Sequence, residues 1–179
     1  MTEQDIKTRV DNLYMKLNMK KTHRIPIVQV AHQLGLDVYA LDDMPSRING
    51  AMYLNIGDED VLRSSGGNPN IIIINGMLDA EHKRFTVAHE VGHFLLHQNQ
   101  DDTFLIYHQV EDEEDGIEGE ACKFAAMLLM DEDVFKQKFY GLKAAGIVNK
   151  KEMVQNLRRI FCVPWRAAER RMQELELTL

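Results

Sequence analysis

One stretch narrows what this chain can be more than any other: residues 84–98, RFTVAHEVGHFLLHQ. It holds His89-Glu90-Val91-Gly92-His93, an H-E-x-x-H motif set inside a helical apolar pattern of Phe85, Ala88, Val91, Phe94 and Leu95. Residues four apart on a helix lie one above the other on the same face, so His89 and His93 can aim two imidazoles at one metal ion. Glu90, one position round, can reach a water there, and that geometry is why the motif points to zinc-dependent hydrolysis. The apolar flanks imply a largely buried helix, and a dry, shaped cavity is part of what a metal site requires. Two imidazoles on a buried helix can also be core histidines satisfied by neighbours. The metal reading is the stronger one because the helix follows an apolar strand and ligand candidates follow it in the chain.

Bulk properties leave few other classes open. At 179 residues, 45% hydrophobic and 27% charged, the chain suits one soluble domain with its own core. No run of 18 apolar residues occurs, which argues against a membrane-spanning helix. The opening MTEQDIKTRVDNLY is polar and amphipathic rather than a secretion signal. Two cysteines, Cys122 and Cys162, are too few for a disulfide framework. They read as free, buried thiols in a cytoplasmic protein. The net charge of −7 is uneven: residues 149–179 hold 7 Lys and Arg against 4 Asp and Glu, and the rest holds 14 against 24. An acidic body argues against general nucleic-acid binding, while the basic end keeps a weaker form of that idea.

Taken in order, residues 3 to 17 form a helical pattern with Ile6, Val10, Leu13 and Leu17 on one stripe. Pro26 can start a second helix, and Gly35 can end it. Residues 36–41 and 48–56 read as strands, 64–70 (SSGGNPN) as a loop, and Ile71 to Ile74 as a strand covered on both faces. The motif helix starts near Leu78 or Asp79. Residues 99–115 are polar and acidic around an apolar patch at 104–107. Helical patterns return over 117–130, 131–140, 150–161 and 164–175, with Asp131 and Pro164 as plausible starts. The expected class is α+β: a small twisted sheet of about three strands packed on the central motif helix, with a mostly helical C-terminal half. All of it falls in one domain over 1–179, with an N-terminal helical segment at 1–22 and a helical pair at 149–179.

A catalytic zinc takes three protein ligands and leaves a fourth position open. Glu111 to Asp115 offer five carboxylates, but such charge runs are ordinarily solvated. Glu118 is better placed, because it opens a helix on which Ala121, Cys122 and Ala125 share nearly the same face. Small residues there would let that helix approach the motif helix closely. Glu120 lies about 160° round from that face at 100° per residue. His97 lies on the His89/His93 face, but about 12 Å along the axis from His89, so an outer contact suits it better than ligation. Tyr107 and His108 are candidates to stabilise an oxyanion.

RFTVAHEVGHFLLH followed by EGEACKFAAMLLM resembles the ImmA/IrrE metallopeptidase family, whose pattern is R-F-T-x-A-H-E-x-G-H and then E-x-x-A-N-x-F-A-A-x-L-L-M-P. The likeness extends over about residues 24–176 and includes the preceding Ile48-Asn49-Gly50 and the Ile71 to Asn75 strand. It implies a gluzincin-like site holding one zinc per chain, with His89 and His93 as ligands, Glu118 as the third ligand and Glu90 as general base. Cys122 stands where the family usually has Asn, and Asp131 where it usually has Pro. The family's association with phages and mobile elements implies a protein substrate, a helix-turn-helix repressor. Two other readings remain. One is a zinc-containing interaction regulator with little turnover. The other is a DNA-binding module at 153–175, which carries Arg158, Arg159, Arg166, Arg170 and Arg171.

Overall fold

The computed structural model describes residues 1–97, 105–109 and 116–179, the strand at 105–109 through its backbone alone. Helix α1 (Glu3–Lys16) is started by a reciprocal cap. The Thr2 hydroxyl accepts from the Asp5 amide, and the Asp5 carboxylate accepts from the Thr2 amide. This satisfies two donors that a helix start would leave bare. Its buried stripe is Ile6, Val10, Leu13 and Tyr14, and the Tyr14 hydroxyl donates to the Leu128 carbonyl at 2.9 Å. Helix α2 (Ile27–Gln33) follows Pro26, and the chain leaves it through Gly35 at φ +82°, a conformation glycine adopts without strain.

Strand β1 (Asp37–Leu41) pairs parallel with β3 (Ile71–Asn75), β2 (Ile48–Tyr53) pairs antiparallel with β3, and β4 (Leu105–Gln109) pairs antiparallel with β2. The order is β1-β3-β2-β4. Three strands fall where the sequence places them. The fourth comes from the acidic stretch, where an apolar patch in polar surroundings carries no alternation to announce it. Just before the segment 64–70 read as loop, where the sequence announces no element, a short helix α3 (Glu59–Ser64) forms. Ile71, Ile72 and Ile74 are buried, whereas Ile73 is only partly covered, so the expected cover on both faces is incomplete. The sheet lays Ile72 and Ile74 into the core with Val87 and Val91.

Helix α4 (Ala80–Leu96) is capped by Asp79, whose carboxylate accepts from the His82 amide at 2.8 Å. It lies against β2 and β3 on one side and α5 (Gly116–Leu129) on the other. Beyond α5, Asp131 caps α6 (Glu132–Ala144) through the amides of Asp133 and Val134. Helices α7 (Lys150–Phe161) and α8 (Trp165–Glu174) complete the C-terminal half. Phe124, Phe135, Phe139 and Phe161 are fully buried among them. The Arg24 guanidinium donates to the carbonyls of Arg159 and Ile160 at the end of α7, where Cys162 turns the chain at φ +54°. Neither cysteine forms a disulfide, and each is half-buried rather than enclosed. No helix among the described residues is long and apolar enough to cross a membrane.

Candidate metal centre

His89, Glu90 and His93 are fully buried on α4. Facing them, the first turn of α5 carries Glu118. The two helices approach closely because nothing bulky separates them. A Cβ on Gly92 would stand 3.2 Å from the Ala121 Cα, the Ala121 carbonyl oxygen and the Phe124 ring, tighter than side chains ordinarily pack. Gly92 on one helix and Ala121 and Phe124 on the other thus set the distance across which Glu118 meets the histidines. Gly92→Ala should push the helices apart. The expected cost is about 1–3 kcal/mol of stability, together with weaker metal retention although every donor remains. Thermal melting and metal content after dialysis check both.

The donors converge. His89 Nε2 lies 3.0 Å from Glu118 Oε2, His93 Nε2 lies 2.9 Å from His89 Nε2, and His93 Nε2 lies 3.2 Å from Glu118 Oε1. Two imidazole nitrogens and a carboxylate are the donor types of catalytic zinc sites, and these three residues form the potential metal cluster found among the described residues. The other ring nitrogens turn outward to separate partners. His89 Nδ1 lies 3.4 Å from Cys122 Sγ, and His93 Nδ1 lies 3.0 Å from His97 Nδ1. Cys122 therefore touches the outer nitrogen of a candidate ligand and lies outside the three-donor cluster. His97 likewise lies outside the cluster, and burial, with His93 beside it, lowers its pKa to about 4. Glu120 does not simply point away, as its angular position on α5 suggests. Its Oε2 reaches His97 Nε2 at 2.9 Å, because a long side chain at the rim of one helix can span to the last turn of the next.

Glu90 is the unusual residue. It is fully buried, and neither carboxylate oxygen has a hydrogen-bond partner among the described residues. Burial, reinforced by the Glu118 charge, pushes its carboxyl well above the usual carboxylate range. A buried acid left bare is costly to the fold, and such groups mark sites where chemistry rather than stability sets the residue. Its neighbour on the facing strand β2 is Gly50, where a Cβ would lie 2.6 Å from Thr86 Cγ2 and 3.2 Å from Glu90 Oε1. Sequence reasoning missed that role. The signal was the Ile48-Asn49-Gly50 run, but nothing local says which helix the glycine clears.

Tyr107 and His108 are placed by backbone register only, Tyr107 opposite Ala51 and His108 opposite Gly50. Their side chains, and the carboxylates of residues 111–115, lie outside the described residues.

A histidine pair on one helix, a glutamate at the head of a second, and a bare buried glutamate beside the pair form a candidate metal centre on an α+β scaffold. The chain belongs to the Peptidase M78 family, described as the IrrE N-terminal-like domain, whose model matches residues 31–172. No curated protein matches the chain. Among solved structures, a Mycobacterium tuberculosis transcriptional regulator is similar, with a TM-score of 0.52 and 14% identity over 93% of this chain and 46% of that one. At that identity the likeness is one of fold, and this chain spans less than half of that protein's length.

Proposed function

We propose that this chain is a zinc-dependent endopeptidase that cuts a specific cytoplasmic protein. The observation that carries the reading is the bare Glu90 carboxylate beside three convergent donors. The donor set suits zinc: two imidazole nitrogens and a carboxylate at a buried position, the three protein ligands a catalytic zinc takes. His89, His93 and Glu118 would hold the ion, which would supply Lewis acidity toward the scissile carbonyl and make a hydroxide available near neutral pH. Glu90 takes the proton of the attacking water and delivers it to the leaving amine. The full burial of His89, Glu90 and His93 strengthens every charge interaction in the site. For the oxyanion, Tyr107 and His108 stay the candidates. Position 108 is the one paired with Gly50, against Glu90.

The family resemblance supports a helix-turn-helix repressor as the substrate, cut at one or a few bonds. Selectivity would reside in segments 57–70 and 99–115, since specificity ordinarily rides on loops held by a rigid scaffold. Direct DNA binding by the C-terminal helices draws less support. Arg158 pairs with Glu81, Arg170 with Glu174, and Arg171 is buried with its guanidinium on the Met130 carbonyl and Glu174. Those cations are engaged within the protein rather than free for phosphates.

Two measurements test the proposal. Protein purified without chelator should carry about one zinc per chain by elemental analysis, and Glu118→Ala should lose most of it. Full occupancy in Glu118→Ala would reject Glu118 as a ligand. Co-expression with the repressor encoded beside it should yield a repressor fragment. Repressor inactivation that leaves the polypeptide intact would favour the interaction-regulator reading instead.

A further inference from the structure

Outside the donor cluster, a second line of polar side chains runs from α4 to α5. His93 Nδ1 meets His97 Nδ1 at 3.0 Å, and His97 Nε2 meets Glu120 Oε2 at 2.9 Å. The Met1 amino group closes on the other oxygen of Glu120. The side chains of His97 and Glu120 are only 7% and 20% exposed, so these contacts are not the loose pairings of a surface.

We propose that His97 and Glu120 are positioning residues that hold His93 in the one tautomer able to ligate a metal through Nε2. The inference rests on the metal reading above and extends it to residues that do not touch the ion.

Bonding logic fixes the direction of the chain. A carboxylate only accepts, so His97 Nε2 carries the hydrogen. A neutral imidazole has one donor and one acceptor nitrogen, so His97 Nδ1 accepts. The hydrogen between the two rings then sits on His93 Nδ1, which leaves His93 Nε2 bare and facing His89 Nε2 and Glu118 Oε1. Without Glu120, His97 can reverse its own tautomer, point a hydrogen at His93, and leave the ligand nitrogen protonated. The terminal carboxylate also makes the ligand more basic, as carboxylates behind ligating histidines do. On the first histidine of the motif the Cys122 sulfur lies 3.4 Å from the outer nitrogen, a weak partner, whereas His93 is backed by an imidazole and a carboxylate in line. His97 caps the end of α4 while Glu120 lies on α5. The line therefore also fixes the relative rotation of the two helices that present the donors.

The experiment uses the full chain with any affinity tag at the C-terminus. Zinc affinity is measured by competition with a chromogenic chelator, and the tautomer of His93 in the metal-free protein is read from long-range proton–nitrogen spectra of 15N-labelled protein. Wild type should show His93 protonated at Nδ1. His97→Leu and Glu120→Ala should weaken zinc binding by about 10- to 100-fold and should shift or mix the His93 tautomer signature. His97→Gln should recover most of the affinity, because a carboxamide can accept from His93 and donate to Glu120 in the same geometry. A purely structural role would lower the melting temperature without moving the tautomer signal. If His97→Leu fails to fold, Glu120→Ala, at the partly exposed end of the line, carries the test alone. Zinc affinity within twofold of wild type in Glu120→Ala with an unchanged His93 spectrum would overturn the proposal. A wild-type protein that binds no zinc would overturn the metal reading itself.

Discussion

Glu90→Gln should lower peptide-bond hydrolysis by about 10²- to 10⁴-fold, the range for loss of a positioned general base, while leaving zinc content at wild type. The substitution keeps the shape of the side chain and removes none of the three donors. It should also alter stability in a defined direction. In the metal-free protein the Glu90 carboxyl is raised well above its ordinary value by burial. An acid whose folded pKa is raised costs no stability below its unfolded pKa. It costs progressively more as pH climbs from there toward the folded value, because the folded state holds the proton more tightly. Metal-free Glu90→Gln should therefore match wild type in acid and exceed it increasingly as pH rises from about 4.5. Denaturant titrations at a series of pH values check this. Hydrolysis that survives in Glu90→Gln would remove Glu90 from the mechanism.

Gly50→Ala should be damaging for a substitution that adds one methyl group. The new Cβ would stand 2.6 Å from Thr86 Cγ2 and 3.2 Å from Glu90 Oε1. Thr86 is buried on α4 one turn before Glu90, where the one escape open to its methyl, a χ1 rotation, is resisted by packed surroundings. The strand must instead press on the helix, at about 1–3 kcal/mol for overpacking. A displacement of the base by about 1 Å would lower turnover by about 10²-fold. The test of cause is a double mutant. Thr86→Ser alone removes a buried methyl and should cost about 0.8 kcal/mol. In the Gly50→Ala background the same change removes the clash and should stabilise. That reversal of sign in a mutant cycle isolates the contact. Additive losses would place the damage elsewhere.

The contrast between these two residues shows what a sequence exposes. The motif helix and its neighbours were legible because their information is local. His89, Glu90 and His93 carry a fixed spacing, Asp79 and Asp131 are capping residues that sit before helical patterns, and the four isoleucines of β3 read as a strand, although its cover is incomplete at Ile73. Glu118 was legible in part, through its place at a helix start and through a family resemblance. It stood among other carboxylates whose distances to the histidines no spacing rule reveals. What stayed hidden depends on contacts between distant segments. Gly50 matters because a helix lies against it. Glu120 matters because its side chain is long enough to cross from α5 to the end of α4. Strand β4 was hidden because it exists by pairing with β2 and not by any alternation of its own, and α3 because its six residues precede a glycine-rich turn.

The division of the donors between two helices has a thermodynamic consequence. His89 and His93 share one helix and could offer a cation two nitrogens whenever that helix forms, but Glu118 joins them only when α5 docks. The unfolded chain thus presents a much poorer site than the native one, and any ion that favours the native site acts as a clasp between α4 and α5. Its occupancy adds stability in proportion to the logarithm of free ion over dissociation constant, about 4.1 kcal/mol at a thousandfold excess. Melting temperature then becomes a direct gauge of the ion in a protein whose substrate need not be known. Titrating a buffered metal against the unfolding transition would rank candidate ions by how tightly each one joins the two helices.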